Sequence, residues 1–186
     1  MNLLAITGSP RKNSFSTRLQ NEFLNPFIKN GFVINTVNAY EADLNPCTAC
    51  GKCSSESLCI FDDSMSEIYS LIRDADIISI SSPLYFSSFP APLKSVIDRC
   101  QLLWEESKRG GIKIKAKKGF FFCTAGSDYN DIFTGVLTGI RHFYNTINTS
   151  FNIDETILLK NCDLTEEISP DILEKCRMLG SKYSDQ

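Results

Sequence analysis

Four cysteines, Cys47, Cys50, Cys53 and Cys59, fall within thirteen residues of this 186-residue chain. Thiolates so close in sequence can wrap one compact centre. Two consecutive x2 gaps followed by an x5 gap resemble bacterial ferredoxin spacing with a longer last interval, and suit an iron–sulfur cubane. Gly51 lets the backbone turn between ligands. Zinc is the chemical competitor, because four thiolates also make a tetrahedral site, although structural zinc more often joins two separated pairs. Free or redox-active thiols are the third reading. Cys100, Cys123, Cys162 and Cys176 are dispersed and read as small buried hydrophobes.

Three further stretches carry chemistry. Residues 8–17, GSPRKNSFST, combine a turn-forming Gly8 with the side-chain donors of Ser9, Asn13, Ser14, Ser16 and Thr17. Placed between a strand and a helix, they would add hydroxyls to free N–H groups and a positive dipole end, which suits a phosphate monoester. The stretch matches neither GxxxxGK[ST] nor GxGxxG, against a nucleoside triphosphatase or a dinucleotide site. Residues 82–90, SPLYFSSFP, hold three aromatic rings and two prolines, a rigid apolar wall suited to a planar ring system. Thr124-Ala125-Gly126-Ser127 is small and permits close backbone approach.

The elements that must position these stretches follow from periodicity. Leu3–Thr7, Phe32–Val37, Asp76–Ser81, Gly119–Cys123 and Thr156–Leu159 read as strands. Helical spacing runs over residues 16–30 and 132–147, and a last helix starts near Ser169. Strands alternating with helices make βαβ units and a parallel sheet covered on both faces, with the doubly wound order 2-1-3-4-5 expected. In such a sheet ligands bind beyond the carboxyl ends of the strands, where the three loops emerge. Residues 39–62 show no periodic element and contain all four clustered cysteines, and Ser64 to Glu67 has the form of a capping box. The cysteine loop leaves strand two, about 4.8 Å from strand one, so its root lies beside the phosphate loop.

Bulk properties bound the rest. The length fits a single domain spanning 1–186. Net charge is −3, giving no reason to expect nucleic acid or an anionic membrane as partner. No apolar run approaches a membrane span, and MNLLAIT lacks the basic start of a signal peptide, so a cytoplasmic location is expected. The basic residues among 108–118 read as a solvated crossing loop, and His142 sits on a core helix without a role.

Taken together, GSPRKNSFST at 8–17, NPCTACGKC at 45–53 with Cys59 and Asp62-Asp63 after it, and SPLYFSSFPAPLKSVIDR at 82–99 resemble the NADPH-dependent FMN reductase and iron–sulfur flavoprotein branch of the flavodoxin-like proteins. The resemblance implies that Ser9, Arg11, Asn13, Ser14, Ser16 and Thr17 hold the FMN phosphate. It implies that Ser82, Pro83, Leu84, Tyr85 and Phe86 line the isoalloxazine, with Thr124, Ala125, Gly126 and Ser127 on its other side. The first loop is a residue longer than the commonest form of the motif. Lys94, Asp98 and Arg99 match the family as well, and read as solvent-facing or helix-positioning residues. In the iron–sulfur flavoproteins this cysteine pattern ligates a 4Fe–4S cluster, while other relatives keep the cysteines alone.

Three functions remain open on the sequence. One is an FMN-dependent oxidoreductase whose 4Fe–4S cluster is fed by ferredoxin or another one-electron donor. The second is an NAD(P)H-dependent FMN or quinone reductase without a cluster. The third is a flavodoxin-type carrier, which has no need of the long cysteine loop. In each, the cofactor carries the hard chemistry. The aromatic loop and the resemblance both point to a homodimer.

Overall fold

The computed structural model describes residues 1–110 and 114–185. Strands β1 (Asn2–Thr7), β2 (Val33–Asn38), β3 (Ile77–Pro83) and β4 (Lys117–Thr124) pair in parallel in the order β2-β1-β3-β4. The last edge position, expected as one strand, is shared by β5 (Thr149–Phe151) and β6 (Ile157–Leu159), both parallel to β4 and separated by a 3-10 turn at Ile153–Glu155. The flavodoxin-like order 2-1-3-4-5 is therefore present, with its outer strand broken.

Pleating decides which side chains go where. Along β1, Leu3 and Ala5 face one side of the sheet while Leu4 and Ile6 face the other, and all four are buried. On the first side α1 (Phe15–Lys29) and α7 (Pro170–Ser184) close the core, with the Phe23 ring 4.6 Å from Phe120 and 5.2 Å from Phe122. On the second lie α3 (Met65–Asp74), α4 (Ala91–Arg99), α5 (Gln101–Lys108) and α6 (Thr134–Thr146). Each fully buried large apolar side chain contributes roughly 1.5–3 kcal/mol, so the many Phe, Leu and Ile on both faces define which side each helix takes.

One buried polar knot matters for function. Gln20 of α1 donates through Nε2 to the Ser79 hydroxyl at 2.9 Å and the Ser79 carbonyl at 3.1 Å, while Ser81 donates to Gln20 Oε1 at 2.8 Å. A buried amide left unpaired would cost several kcal/mol, so these bonds fix where α1 docks. Its N-terminus is thereby held at the carboxyl end of β1.

Three local expectations are corrected. Ser64 adopts helical dihedrals and its side chain caps nothing; Asp63 Oδ1, at 3.1 Å from the Met65 N–H, does the capping. The cysteine loop contains a short helix, α2 (Lys52–Glu56). The basic stretch is not all loop: Lys108 ends α5 and Lys117 and Lys118 open β4, while its residues 111–113 lie outside the described residues. Lys117 is buried, and desolvation with Lys115 beside it pushes its ammonium down to about 8. Cys100, Cys123 and Cys176 are buried as expected; Cys162 is half-buried. His142 is exposed. Among the described residues, no helix is long and apolar enough to cross a membrane.

Candidate functional site

The loop from β1 to α1 has no room for a side chain at its start. A Cβ on Gly8 would meet Leu93 Cδ2 of α4 at 2.5 Å, so glycine alone allows this approach. Ser9 is buried, its Oγ accepting from the Arg11 N–H at 3.2 Å, which turns the chain outward through exposed Arg11 and Asn13. Ser14 is the N-cap of α1, accepting from the Thr17 N–H at 3.2 Å. Its hydroxyl also lies 3.1 Å from Ser16 Oγ and 2.8 Å from Thr17 Oγ1. Three hydroxyls thus converge at the start of a 15-residue helix whose first turn holds no acidic residue. Of the six predicted phosphate ligands, the structure gathers Ser14, Ser16 and Thr17; Arg11 and Asn13 stand further out in solvent. This donor set, free of carboxylates, fits a phosphate monoester.

At the end of β3, Ser82 is buried, its hydroxyl donating to the Pro83 carbonyl at 2.7 Å. Leu84 packs on the core, and its N–H donates to the Thr124 carbonyl at 2.8 Å, tying the second loop to the third. Tyr85 and Ser88 then form a tight hairpin around Phe86 and Ser87, whose φ values are +49° and +58°. Two left-handed residues in succession make a type I′ turn, which normally calls for Asn-Gly. Placing Phe there instead costs strain, and such strain concentrates at ligand clamps. The Phe86 side chain is fully solvent-exposed and Tyr85 half-exposed, whereas Phe89 is buried. Gly135 of α6 makes the turn possible, since a Cβ there would meet the Ser87 carbonyl oxygen at 2.5 Å.

The third loop begins with buried Thr124 and Ala125, bonded through the Ala125 N–H to the Leu159 carbonyl at 2.8 Å. Gly126 is backed by the Asp163 carboxylate, which sequence reading did not single out. Ser127 is exposed. Tyr40, just beyond β2, comes close enough to Tyr85 to feel it; desolvation, then Tyr85, raises its phenol above the ordinary value. The carboxyl edge of the sheet is therefore rimmed by four loops.

The cysteine loop leaves as expected, the Ala39 N–H donating to the Thr7 carbonyl at 2.9 Å. Its body does not stay at that edge. Cys47, Cys50, Cys53 and Cys59 line one cavity of about 440 Å³, which is also lined by Tyr69 of α3, Asp98 and Arg99 of α4, and Gln101 and Leu102 of α5. Helix α4 starts just after the aromatic loop and ends at this cavity, a span of about 12 Å.

Arg99, read from the sequence as solvent-facing or helix-positioning, is only 2% exposed. It forms a bidentate pair with Asp63, Nη1 to Oδ2 at 2.7 Å and Nη2 to Oδ1 at 3.0 Å, and Nη1 also donates to the Asn45 carbonyl at 2.7 Å. Burial alone would raise the Asp63 carboxyl, but the Arg99 fork and the Asn45 and Met65 N–H groups hold it at about 2. Arg109 donates to the Cys53 carbonyl at 2.7 Å and to that of Ser54. Lys94 and Asp98 pair on the exposed side of α4. Among the described residues no three Cys, His, Asp or Glu side chains are drawn together as a metal site. The four cysteines lining this cavity nevertheless have the donor chemistry of a thiophilic centre.

A doubly wound sheet of this order, its carboxyl edge carrying a hydroxyl-lined helix start and an exposed aromatic turn, defines the flavodoxin-like class. Residues 1–133 match the family of NADPH-dependent FMN reductases, and the chain belongs to it. An iron-sulfur flavoprotein of Methanosarcina thermophila is 29% identical over 187 residues, covering 94% of this chain and 96% of that protein. One of Archaeoglobus fulgidus is 31% identical over 185 residues, covering 100% of this chain and 80% of its own length. In fold the chain is similar to an NAD(P)H:quinone oxidoreductase from Methanothermobacter marburgensis, with a TM-score of 0.72 at 19% identity over 97% of this chain and 98% of the other.

Proposed function

We propose that this FMN-dependent oxidoreductase also carries a 4Fe–4S cluster on Cys47, Cys50, Cys53 and Cys59, and takes its electrons from ferredoxin or another one-electron donor. The observation that carries the reading is that these four thiols, otherwise scattered along an irregular loop, line a single cavity. The names of the two relatives support it. When bound, the cluster supplies electrons singly and FMN takes them singly or in pairs.

The chain's own residues would divide the work of holding FMN. Ser14, Ser16 and Thr17 take the phosphate with the α1 N-terminus, Ser9 shapes the loop, and Arg11 and Asn13 close over it from solvent. Ser82, Pro83, Leu84, Tyr85 and Phe86 form one wall for the ring, and Thr124 to Ser127 the other, where close backbone approach lets N–H groups reach ring heteroatoms. The exposed Phe86 turn is where a second copy would dock, giving a homodimer.

A second reading, favoured by the family's description, is an NAD(P)H-dependent FMN or quinone reductase in which the cysteines hold no cluster. Purification and reconstitution without oxygen, followed by iron, sulfide and flavin analysis, separates the two. The first reading expects iron and FMN together. It also expects replacement of any one of the four cysteines by Ala to abolish iron while leaving FMN bound, and Cys123→Ala to leave iron untouched. A reconstituted protein with FMN and no iron returns the chain to the second reading.

A further inference from the structure

Arg99 does more than its place at the end of α4 requires. Its guanidinium is bonded to Asn45, two residues before Cys47, and to Asp63, four residues after Cys59. The Asn45 N–H donates to Asp63 Oδ2 at 3.0 Å, so the two ends of the cysteine loop meet on one side chain. The Phe61 ring lies 4.9 Å from the guanidinium, and the Arg99 carbonyl accepts from the Tyr69 hydroxyl at 2.7 Å. Closing a loop through a planar bidentate fork is a task lysine cannot reproduce.

One donor of that fork is left over. Among the described residues Arg99 Nε is buried and has no hydrogen-bond partner. A buried N–H without an acceptor is costly, and a group bound in the cavity that Arg99 lines would relieve that cost. Arg99 lines the cysteine cavity, and Cys59 is the thiol within its electrostatic reach. The missing acceptor is thus of the kind that cavity would hold: sulfur bearing negative charge.

We infer that Arg99 is a positioning residue for the cysteine cavity, fastening both ends of the cysteine loop and keeping its Nε–H for anionic sulfur bound there, while the Arg99–Asp63 pair sets the reduction potential of that group. The inference rests on the cluster reading above. Positive charge and N–H donation toward sulfur favour the reduced, more negative state; Asp63 offsets that charge from the far side of the guanidinium. Removing Arg99 leaves an uncompensated anion, and removing Asp63 leaves an uncompensated cation. The two changes therefore move the potential in opposite directions. A purely structural role predicts that both loosen the same loop and act alike.

The test uses the wild-type holoprotein with Arg99→Gln, Arg99→Lys and Asp63→Asn, all reconstituted without oxygen. Iron and sulfide are assayed, and the cluster is titrated by electron paramagnetic resonance against solution potential. Arg99→Gln is expected to shift the one-electron equilibrium about tenfold toward the oxidised state, 59 mV downward. Asp63→Asn is expected to shift it a similar amount upward, with Arg99→Lys between wild type and Arg99→Gln. Wild-type protein without iron overturns the cluster reading and this inference with it. Wild-type protein with iron, but variants whose potentials are unmoved or move in the same direction, overturns the inference alone. Loss of iron from all three variants leaves only a structural role and refutes the tuning.

Discussion

Ser14 makes two contributions that can be measured apart. As N-cap of α1 it satisfies the Thr17 N–H; as a hydroxyl beside Ser16 and Thr17 it faces the proposed phosphate position. Ser14→Ala removes both, and the cap alone costs about 1 kcal/mol of stability. Ser14→Gly also removes the hydroxyl but costs only a few tenths, because glycine is itself an acceptable N-cap. A hydrogen bond to a charged group is worth about 1.5–3 kcal/mol, which is roughly ten- to a hundredfold in affinity. Both variants should therefore bind FMN that much more weakly while differing in stability by most of a kilocalorie. Riboflavin, which lacks the phosphate, should bind each variant within about twofold of the parent, since no interaction with it has been removed. Quenching of flavin fluorescence by the apoprotein gives the affinities, and urea denaturation gives the stabilities. Equal weakening of FMN and riboflavin would remove the phosphate from this helix end. An FMN loss that tracks stability, large in Ala and small in Gly, would show that the helix terminus rather than the hydroxyl is responsible.

Further predictions concern parts of the scaffold near the site. Asp63 is held at about 2 against an ordinary 3.8; at 1.36 kcal/mol per pH unit its ionisation contributes about 2 kcal/mol. Because the folded value is depressed, this stability is fully present above about pH 4 and is lost as pH falls toward 2. Asp63→Asn should remove that slope from apoprotein denaturation midpoints, and an unchanged slope would refute the assignment. Gly135→Ala gains up to ~1 kcal/mol in helix propensity but drives a Cβ toward the Ser87 carbonyl, an overpacking worth ~1–3 kcal/mol; urea denaturation should show net destabilisation, and a stabilised variant contradicts the close approach. Tyr144→Phe leaves the Phe120 carbonyl without the 2.7 Å bond it accepts in the core, and should cost about 1–2 kcal/mol. An unaltered denaturation midpoint would deny that bond any weight.

The sheet order was readable because β1, β3 and β4 each carry a short apolar stretch, LLAI, IISI and FFFC, between helical periods, as strands covered on both faces do. The broken outer edge was not. Three-residue strands such as Thr149–Phe151 are too short to leave a period, and the helical pattern before them ran on to Ile147. The three loops were legible by their place after strands, yet which hydroxyls converge depends on Ser14 being the cap, a matter of one residue. The role of Arg99 was hidden for a different reason. Its partners Asn45 and Asp63 are 54 and 36 residues away, and an arginine at a helix end looks the same whether it meets water or a buried carboxylate. The adjacent pair Asp62-Asp63, directly after the cysteines, was the available signal: one acid beyond a buried loop calls for a buried base.

The divided outer edge has a consequence for how chains of this protein can meet. A long, regular strand at a sheet's margin exposes a row of N–H and C=O groups on which another polypeptide can extend the sheet, the first step of uncontrolled fibrous growth. Here each half of that margin is only three residues long, and the 3-10 turn at Ile153–Glu155 interrupts the ladder between them. At the opposite margin three of the six residues of β2, Asn35, Thr36 and Asn38, are polar, and the strand stays only partly covered. A neighbour's backbone therefore finds no continuous ladder at the first margin and a half-polar one at the second. The docking proposed above at the Phe86 turn would join copies through side-chain surfaces instead, where the number of partners is set by shape and growth ends when that surface is covered.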